Sequence, residues 1–262
     1  MLNMIGLTAM IAVAILLIWS SLRAWRLKNI FLRWSGVALS ALLAATLFSL
    51  SALAIAGLFK LHMRNAPAQT ILVERTPERV LRGQAISDSF CSACHSKTGT
   101  LTGGTDIGKH LPIPVGSFIA SNLTPAGQLN YWSDGDIFRA IRNGVDPEGH
   151  WLMIMSYTSA GKLSDEDTQA LIAYIRTRAA AGVDTAYPPD QLNMLGLMML
   201  GGGLLPSGKP VFTGVHKAPP KGPTFRYGEY ILSYQDCRQC HGEQLTGGVP
   251  GQLGPIGPDL SL

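Results

Sequence analysis

Acidic residues are missing from the first 65 positions of this 262-residue chain. Charged residues make up only 15% of the whole, against about 25% in a typical soluble protein. The shortfall is local. Arg23, Arg26, Lys28, Arg33, Lys60 and Arg64 are the basic residues before position 66, leaving 15 basic against 17 acidic side chains in the remainder. The formal charge of +4 is therefore a property of the N-terminal segment. A nucleic-acid footprint needs basic residues clustered on the folded part, and that part is slightly acidic, so a nucleic-acid partner is excluded. Cysteine is also scarce. The four present, Cys91, Cys94, Cys237 and Cys240, fall in two pentapeptides, CSACH and CRQCH.

The acid-free segment contains two long apolar runs. Met1 to Ser21 is uncharged, and so is Trp34 to Phe59. Each reaches the roughly 20 residues that cross a hydrocarbon core. The pattern predicts a transmembrane hairpin over 1–62, with helices at about 2–20 and 35–59. A cleaved signal peptide carries its positive charge before the apolar run, whereas here RAWRLK follows it. The positive-inside rule places the loop between the helices in the cytoplasm, so the chain beyond about residue 62 faces outward. Trp19, Trp25 and Trp34 stand near the expected interface levels. Gly36, Ala38, Ser40, Ala44 and Ala45 would let another helix pack closely against the second span.

Three chemistries compete for the cysteine motifs. Structural zinc draws its ligand pairs from much closer spacings than these and leaves both adjacent histidines without a role. A redox dithiol needs a βαβ context, and no strand-rich pattern surrounds either motif. C-x-x-C-H is the attachment motif for haem c. Two thiols one helical turn apart can reach the two vinyl groups of one porphyrin, and the histidine that follows can bind its iron. Two copies that together consume every cysteine make the match specific. The cofactor reading is two covalently bound haem c groups, held by Cys91, Cys94 and His95 and by Cys237, Cys240 and His241. The outward topology agrees, because haem c is attached on the outer side of the bacterial membrane, where paired thiols would otherwise be open to oxidation to disulfides.

The motifs are also parts of a repeat. RGQAISDSFCSACHSKTGTLTGG starts at Arg82 and YGEYILSYQDCRQCHGEQLTGG at Tyr227. Each has a glycine, a short apolar stretch, the cysteine motif and then Leu-Thr-Gly-Gly. This resembles the opening of class I cytochrome c domains, in which a first helix leads into C-x-x-C-H and glycine-rich loops pass the haem edge. The fold expected is all-α: the N-terminal hairpin, then tandem class I cytochrome c domains over 72–183 and 225–262, joined by a Pro/Gly-rich connector over 184–224. In the first copy, Ser133-x-x-Asp136 reads as a capping box and Gly144 as a helix stop; Ile137, Ala140 and Ile141 form the apolar stripe. Ser164 caps a last helix expected to end at Gly182, with Leu171, Tyr174 and Ile175 facing inward and the helix packing on the first.

From about residue 72 the chain is similar to the cytochrome c subunits of membrane-bound alcohol, gluconate and aldehyde dehydrogenases. SNLTPAGQLNYWSDGDIFRAIRNGV carries part of that likeness. In that family a stretch like GHWLMIMSYTSAGKLSDED has a methionine followed by Pro-Tyr, and Met155-Ser156-Tyr157 stands at that position with serine replacing proline. The resemblance implies Met155 as the sixth iron ligand beside His95, with Met153 as its rival and His110 and His150 behind both. The anchor departs from the family, whose subunits carry three haems and a C-terminal anchor. This leaves a dehydrogenase, a quinol-oxidising complex, a terminal oxidase or a photosynthetic complex open as the partner.

No Met, His, Cys or Lys follows His241. The second copy is expected to continue beyond Leu262, or its iron draws a ligand from His216, Met194, Met198, Met199 or a partner subunit, or it stays five-coordinate. Within the connector, LNMLGLMMLGGGLL is uncharged but too short to span; it is either a buried inter-domain segment or a piece resting on the membrane surface or a partner subunit. The function expected is a two-pass cytochrome of the bacterial inner membrane. Its haem domains lie on the periplasmic side and relay single electrons as one subunit of a larger redox complex. The alternative is a dihaem oxidoreductase of thiosulfate dehydrogenase or peroxidase type, acting at the second haem.

Overall fold

Asn29 separates two helices: α1 (Leu2–Ala24) ends five residues before it, and α2 (Ile30–His62) begins directly after it. Its side-chain oxygen accepts from Phe31 N and Leu32 N and satisfies amides that the helix cannot. Both helices in this computed structural model run several residues past the apolar stretches that announced them. Residues 2–96, 99–250 and 256–261 are described; Met1, 251–255 and Leu262, which the bounds 1–62 and 225–262 include, lie outside them. The chain forms two compact units, each discontinuous in sequence.

Unit 1 comprises 1–63, 108–117 and 191–207. Its α1 and α2 pack as a hairpin, with Ala14 and Ala44 almost wholly covered and most other apolar side chains exposed. Both are long and apolar enough to cross a membrane. The uncharged stretch of the expected connector is not a featureless linker. It forms α8 (Met194–Gly201), capped by Asn193, and packs on α2.

Unit 2 holds the remaining residues. Thr76 caps α3 (Pro77–Ile86) by accepting from Arg79 N, with proline at the first position, where a missing N–H costs nothing. A π-helical turn (Ser87–Cys91) continues α3 into α4 (Ser92–His95), so one rod carries the first cysteine motif at its end. The capping box at Ser133 and Asp136 opens α5 (Asp134–Asn143), and Gly144 closes it at φ 63°. After α6 (Met153–Tyr157), Ser164 caps α7 (Asp165–Arg176). The last helix does lie against the first. Gly83 makes this possible, since a Cβ there would stand 2.0 Å from the Ala170 carbonyl oxygen. Ile86, Phe138, Leu163, Leu171 and Ile172 fill the core between them.

One expectation is corrected: α7 stops at Arg176 rather than Gly182. The chain beyond it peels away because the buried Asn122 amide donates to Ala181 O and Val183 O, and Thr124 Oγ1 donates to Ala181 O. Those carbonyls are thus satisfied outside a helix. The described part of the second copy leans on the first. Its opening helix α9 (Phe225–Tyr234) packs into the core of the first, with Tyr234 only 1% exposed. The Tyr230 hydroxyl accepts from Ser164 N (2.9 Å) and donates to Asp167 Oδ2 (2.6 Å). Asp167 also takes a bidentate pair from Arg82 at 2.7 and 2.6 Å. Burial by itself would push the Asp167 carboxyl up; the bonds from Arg82 and Tyr230 outweigh it and hold the group below its ordinary value.

Removing one partner of such a buried pair strands the other charge, which costs roughly 3–5 kcal/mol. Arg82→Ala is therefore expected to lower the unfolding free energy by about 3 kcal/mol at pH 7, and Tyr230→Phe by about 1 kcal/mol. Because the folded value of Asp167 is depressed, this stabilisation is complete above the unfolded carboxylate value of about 3.9 and is lost as pH falls through the folded value. Thermal melts of the detergent-solubilised chain should show the Arg82→Ala deficit shrinking at acid pH. An unchanged Tyr230→Phe melt would mean that α9 is not docked.

Candidate haem site

Cys91, Cys94 and His95 lie on one short stretch of helix, at the wall of a cavity of about 310 Å3 in unit 2. That volume is in the range of small-molecule and cofactor sites. The rest of the wall is largely apolar, with Leu123, Trp132, Ile137, Ile141, Leu171 and Ile175 drawn from the loop after the motif and from α5 and α7. Met155 on α6 borders the same cavity. Met153 does not; it is 2% exposed and packed elsewhere. Neither of the remaining candidates lines the cavity: His110 belongs to unit 1, and His150 Nδ1 is 2.9 Å from Asp146 Oδ2.

The histidine is oriented by its surroundings. His95 Nδ1 donates to the Ser121 carbonyl oxygen at 2.8 Å, which fixes the tautomer and leaves Nε2 with the free lone pair. Burial pushes the imidazole down, against the opposing effect of this bond, so the ring stays neutral. Burial also pushes the Cys91 thiol up to about 12, and burial followed by Asp236 raises that of Cys94. A redox dithiol needs lowered thiol values, so the donor set disfavours that chemistry. Among the described residues no cluster of three or more His, Cys, Asp or Glu side chains could hold a bare metal ion. Two thiols, one neutral imidazole and a thioether around an apolar slot fit a covalently held porphyrin.

The loop after the motif is laced to the helix end. Gly103 N donates to His95 O at 2.8 Å, and Leu123 N to Leu101 O at 2.9 Å. Leu101 has φ 59° and Gly103 φ 65°. A Cβ at Gly103 would stand 2.4 Å from the Ala120 carbonyl oxygen, so the glycine is a steric requirement. Asn122 Oδ1 then accepts from Thr124 N at 2.9 Å.

The same bonds recur at the second motif, where Arg238–His241 forms α10. His241 Nδ1 donates to Pro258 O at 2.8 Å. Gly247 N donates to His241 O at 2.9 Å, and Leu260 N to Leu245 O at 2.7 Å. Leu245 has φ 64°, and Asp259 Oδ1 accepts from Ser261 N at 2.8 Å. Ser121-Asn122-Leu123-Thr124 thus corresponds to Pro258-Asp259-Leu260-Ser261. Extending the repeat beyond Leu-Thr-Gly-Gly would have exposed this match and pointed to the carbonyl that orients each histidine. Cys237, Cys240 and His241 are not on the wall of the first cavity, although their neighbours Gln235 and Asp236 are. Of the residues considered for the second iron, His216 stacks on Phe212 with ring centroids 4.0 Å apart, and Met194, Met198 and Met199 lie on α8 of unit 1.

Asp190 was not foreseen. It borders the cavity, where burial pushes its carboxyl up to about 7 despite bonds from the amides of Met153 and Ile154. Its signal was weak because it sits in a Pro-rich stretch, YPPDQ, read as connector. The serine that replaces proline after Met155 has a physical role. Ser156 N donates to Leu152 O at 3.0 Å, which a proline could not do. Its hydroxyl accepts from Trp151 Nε1 at 2.7 Å and donates to Met153 O at 2.7 Å.

Comparison with known proteins agrees with this geometry. The cytochrome c family model matches residues 80–179. The chain is 30% identical over 166 residues to the fructose dehydrogenase cytochrome subunit of Gluconobacter japonicus, covering 58% of this chain and 32% of that protein. It is 30% identical over 173 residues to the gluconate 2-dehydrogenase cytochrome c subunit of Pantoea cypripedii, covering 62% and 37%. Over 98 residues it is 31% identical to a nicotinate dehydrogenase subunit of Pseudomonas putida, covering 36% and 8%. The chain therefore spans about a third of the length of the first two relatives. Residues 80–179 constitute a cytochrome c domain, and the chain that carries them is homologous to the cytochrome c subunits of fructose and gluconate 2-dehydrogenases.

Proposed function

We propose that this protein is a membrane-anchored dihaem c-type cytochrome that relays single electrons on the periplasmic side, as a subunit of a larger redox complex. The observation that carries the reading is the pair of equivalent constellations, in which a C-x-x-C-H histidine is oriented by a carbonyl 26 residues on in one case and 17 in the other. The cysteines would form thioethers to the porphyrin, and His95 and His241 would present Nε2 to iron. When bound, haem supplies a one-electron couple. Met155 would complete the first site, and His/Met ligation raises the potential and closes the iron to exogenous ligands. The apolar wall excludes water there, so little solvent has to reorganise when charge arrives.

The anchor reading rests on the two apolar helices and on the four basic residues between the runs, against two beyond them. The relatives' names describe dehydrogenase subunits, which supports partner subunits of that kind for this chain.

Two outcomes follow. Met155→Ala should abolish the long-wavelength methionine–iron absorption band and lower the potential of the first haem, while Met153→Ala leaves the band in place; the reverse result would reassign the ligand. Pyridine haemochrome assay should give two haems per chain, falling to one in Cys237→Ser/Cys240→Ser. In the reduced wild-type protein, rapid carbon monoxide binding at one haem would select the catalytic reading over the relay.

A further inference from the structure

Three separate stretches of chain meet in unit 1, and two of them come from far outside the hairpin. Their contacts are those of a built assembly. A Cβ on Gly57 of α2 would stand 2.1 Å from the Leu197 carbonyl oxygen, and a Cβ on Gly201 of α8 would stand 1.9 Å from that of Leu53. The two helices therefore touch backbone to backbone, the way small residues let helices approach in membranes. Lys60 Nζ donates to Leu200 O and Gly201 O, both at 3.0 Å. This places a positive charge on the last carbonyls of α8, where the helix dipole favours it. Asn3 Nδ2 donates to Leu192 O at 2.6 Å and ties the start of α1 to the same segment. Asn193 caps α8 through Gly196 N and also donates to Pro114 O at 2.6 Å, while its own amide donates to Val115 O at 2.9 Å. The 108–117 loop is thereby fastened to the start of α8.

The outer surface of this assembly is largely apolar, although Lys109 and His110 at the start of the loop are exposed. Residues 191–207 contain no charged side chain. Leu111, Ile113, Leu195 and Leu204 are exposed, and so are Ile5 and Phe59 on the adjoining ends of the hairpin. In water so many exposed apolar side chains on one small assembly would be costly. Its level along α2 indicates what covers it. Counting from Trp34 as the inner interface, about 20 residues of helix cross the hydrocarbon, which ends near residue 54. The α8 backbone contacts α2 at Leu53 and Gly57, and Lys60 caps its end, so α8 stands at the boundary between acyl chains and headgroups. Short apolar segments bind there by immersing one face in the acyl boundary.

We propose that α8 and the 108–117 loop form a membrane-immersed collar around the open end of the hairpin, with Leu111, Ile113, Leu195 and Leu204 in the acyl boundary of the leaflet at that end. The occupant of the apolar surface is lipid, because α8 packs directly on α2 and is tied to the start of α1, both helices long and apolar enough to cross a membrane, and it lies at interfacial depth. The collar rests on the anchor reading and adds two sequence-distant segments to it.

Nitroxide labels on Leu195→Cys, Ile113→Cys, Leu42→Cys and Glu78→Cys would test this in the reduced holoprotein, reconstituted in vesicles of phosphatidylglycerol and phosphatidylethanolamine. Accessibility to oxygen and to a water-soluble nickel chelate is read by electron paramagnetic resonance. Labels at 42, 195 and 113 should favour oxygen, those at 195 and 113 reporting shallower depths than 42, and the label at 78 should favour the chelate. A label at 195 that favours the chelate while 42 favours oxygen overturns the collar and leaves the anchor. A label at 195 shielded from both reagents also overturns the collar, because protein rather than lipid then covers it. A label at 42 that favours the chelate overturns the anchor, and the collar with it.

Discussion

One hydrogen bond organises the first haem site: His95 Nδ1 to the carbonyl of Ser121. A histidine at the end of a helix could present either nitrogen to the cavity or rotate away. Giving one nitrogen a fixed acceptor removes that freedom. The acceptor is 26 residues away in sequence, so the loop between them must return to the helix end along a defined path. Leu101 and Gly103, both at positive φ, bend it, and Gly103 lets the backbone of 120–121 pass at a distance no side chain would permit. Asn122 then fastens the return to the segment after α7. The orientation of His95 is thus held by backbone groups, which have no rotamers to lose.

The same economy holds the helix that opens the second copy. This helix does not need a core of its own, because Tyr230, Ile231 and Tyr234 use that of the first copy. Asp167 is the pivot. It takes charge from Arg82 of the first helix and a hydroxyl from the helix of the second copy, while sitting on the last helix of the first. A buried carboxylate with three well-aimed donors is tolerable, and with fewer it is not. The ion pair thereby makes the docking of α9 and the packing of α3 on α7 mutually dependent.

Periodicity and spacing were enough for much of this. The apolar runs, the capping box at Ser133, the cap at Ser164 and the cysteine pentapeptides are local signals; each depends on neighbours within a turn or two, and the elements appear where those signals stand. The end of α7 was misread because Gly182 is a good stop in isolation. The real terminator is Asn122, 59 residues upstream of the carbonyl it captures. The connector looked like linker because Pro and Gly dominate it, yet its apolar stretch found a partner in α2 that no local pattern could name.

Sequence by itself therefore determined which thiols and imidazoles share each C-x-x-C-H pentapeptide, and that two helices are apolar enough for a membrane. Those properties belong to residue types and to spacings of a few positions. Tertiary structure alone decided that Met155 and not Met153 borders the cavity, that Ser121 and Pro258 supply the orienting carbonyls, and that α9 shares the core of the first copy. Each of these depends on groups brought together across tens of residues by chain reversal and packing, and a one-dimensional pattern carries no information about which distant surfaces fit.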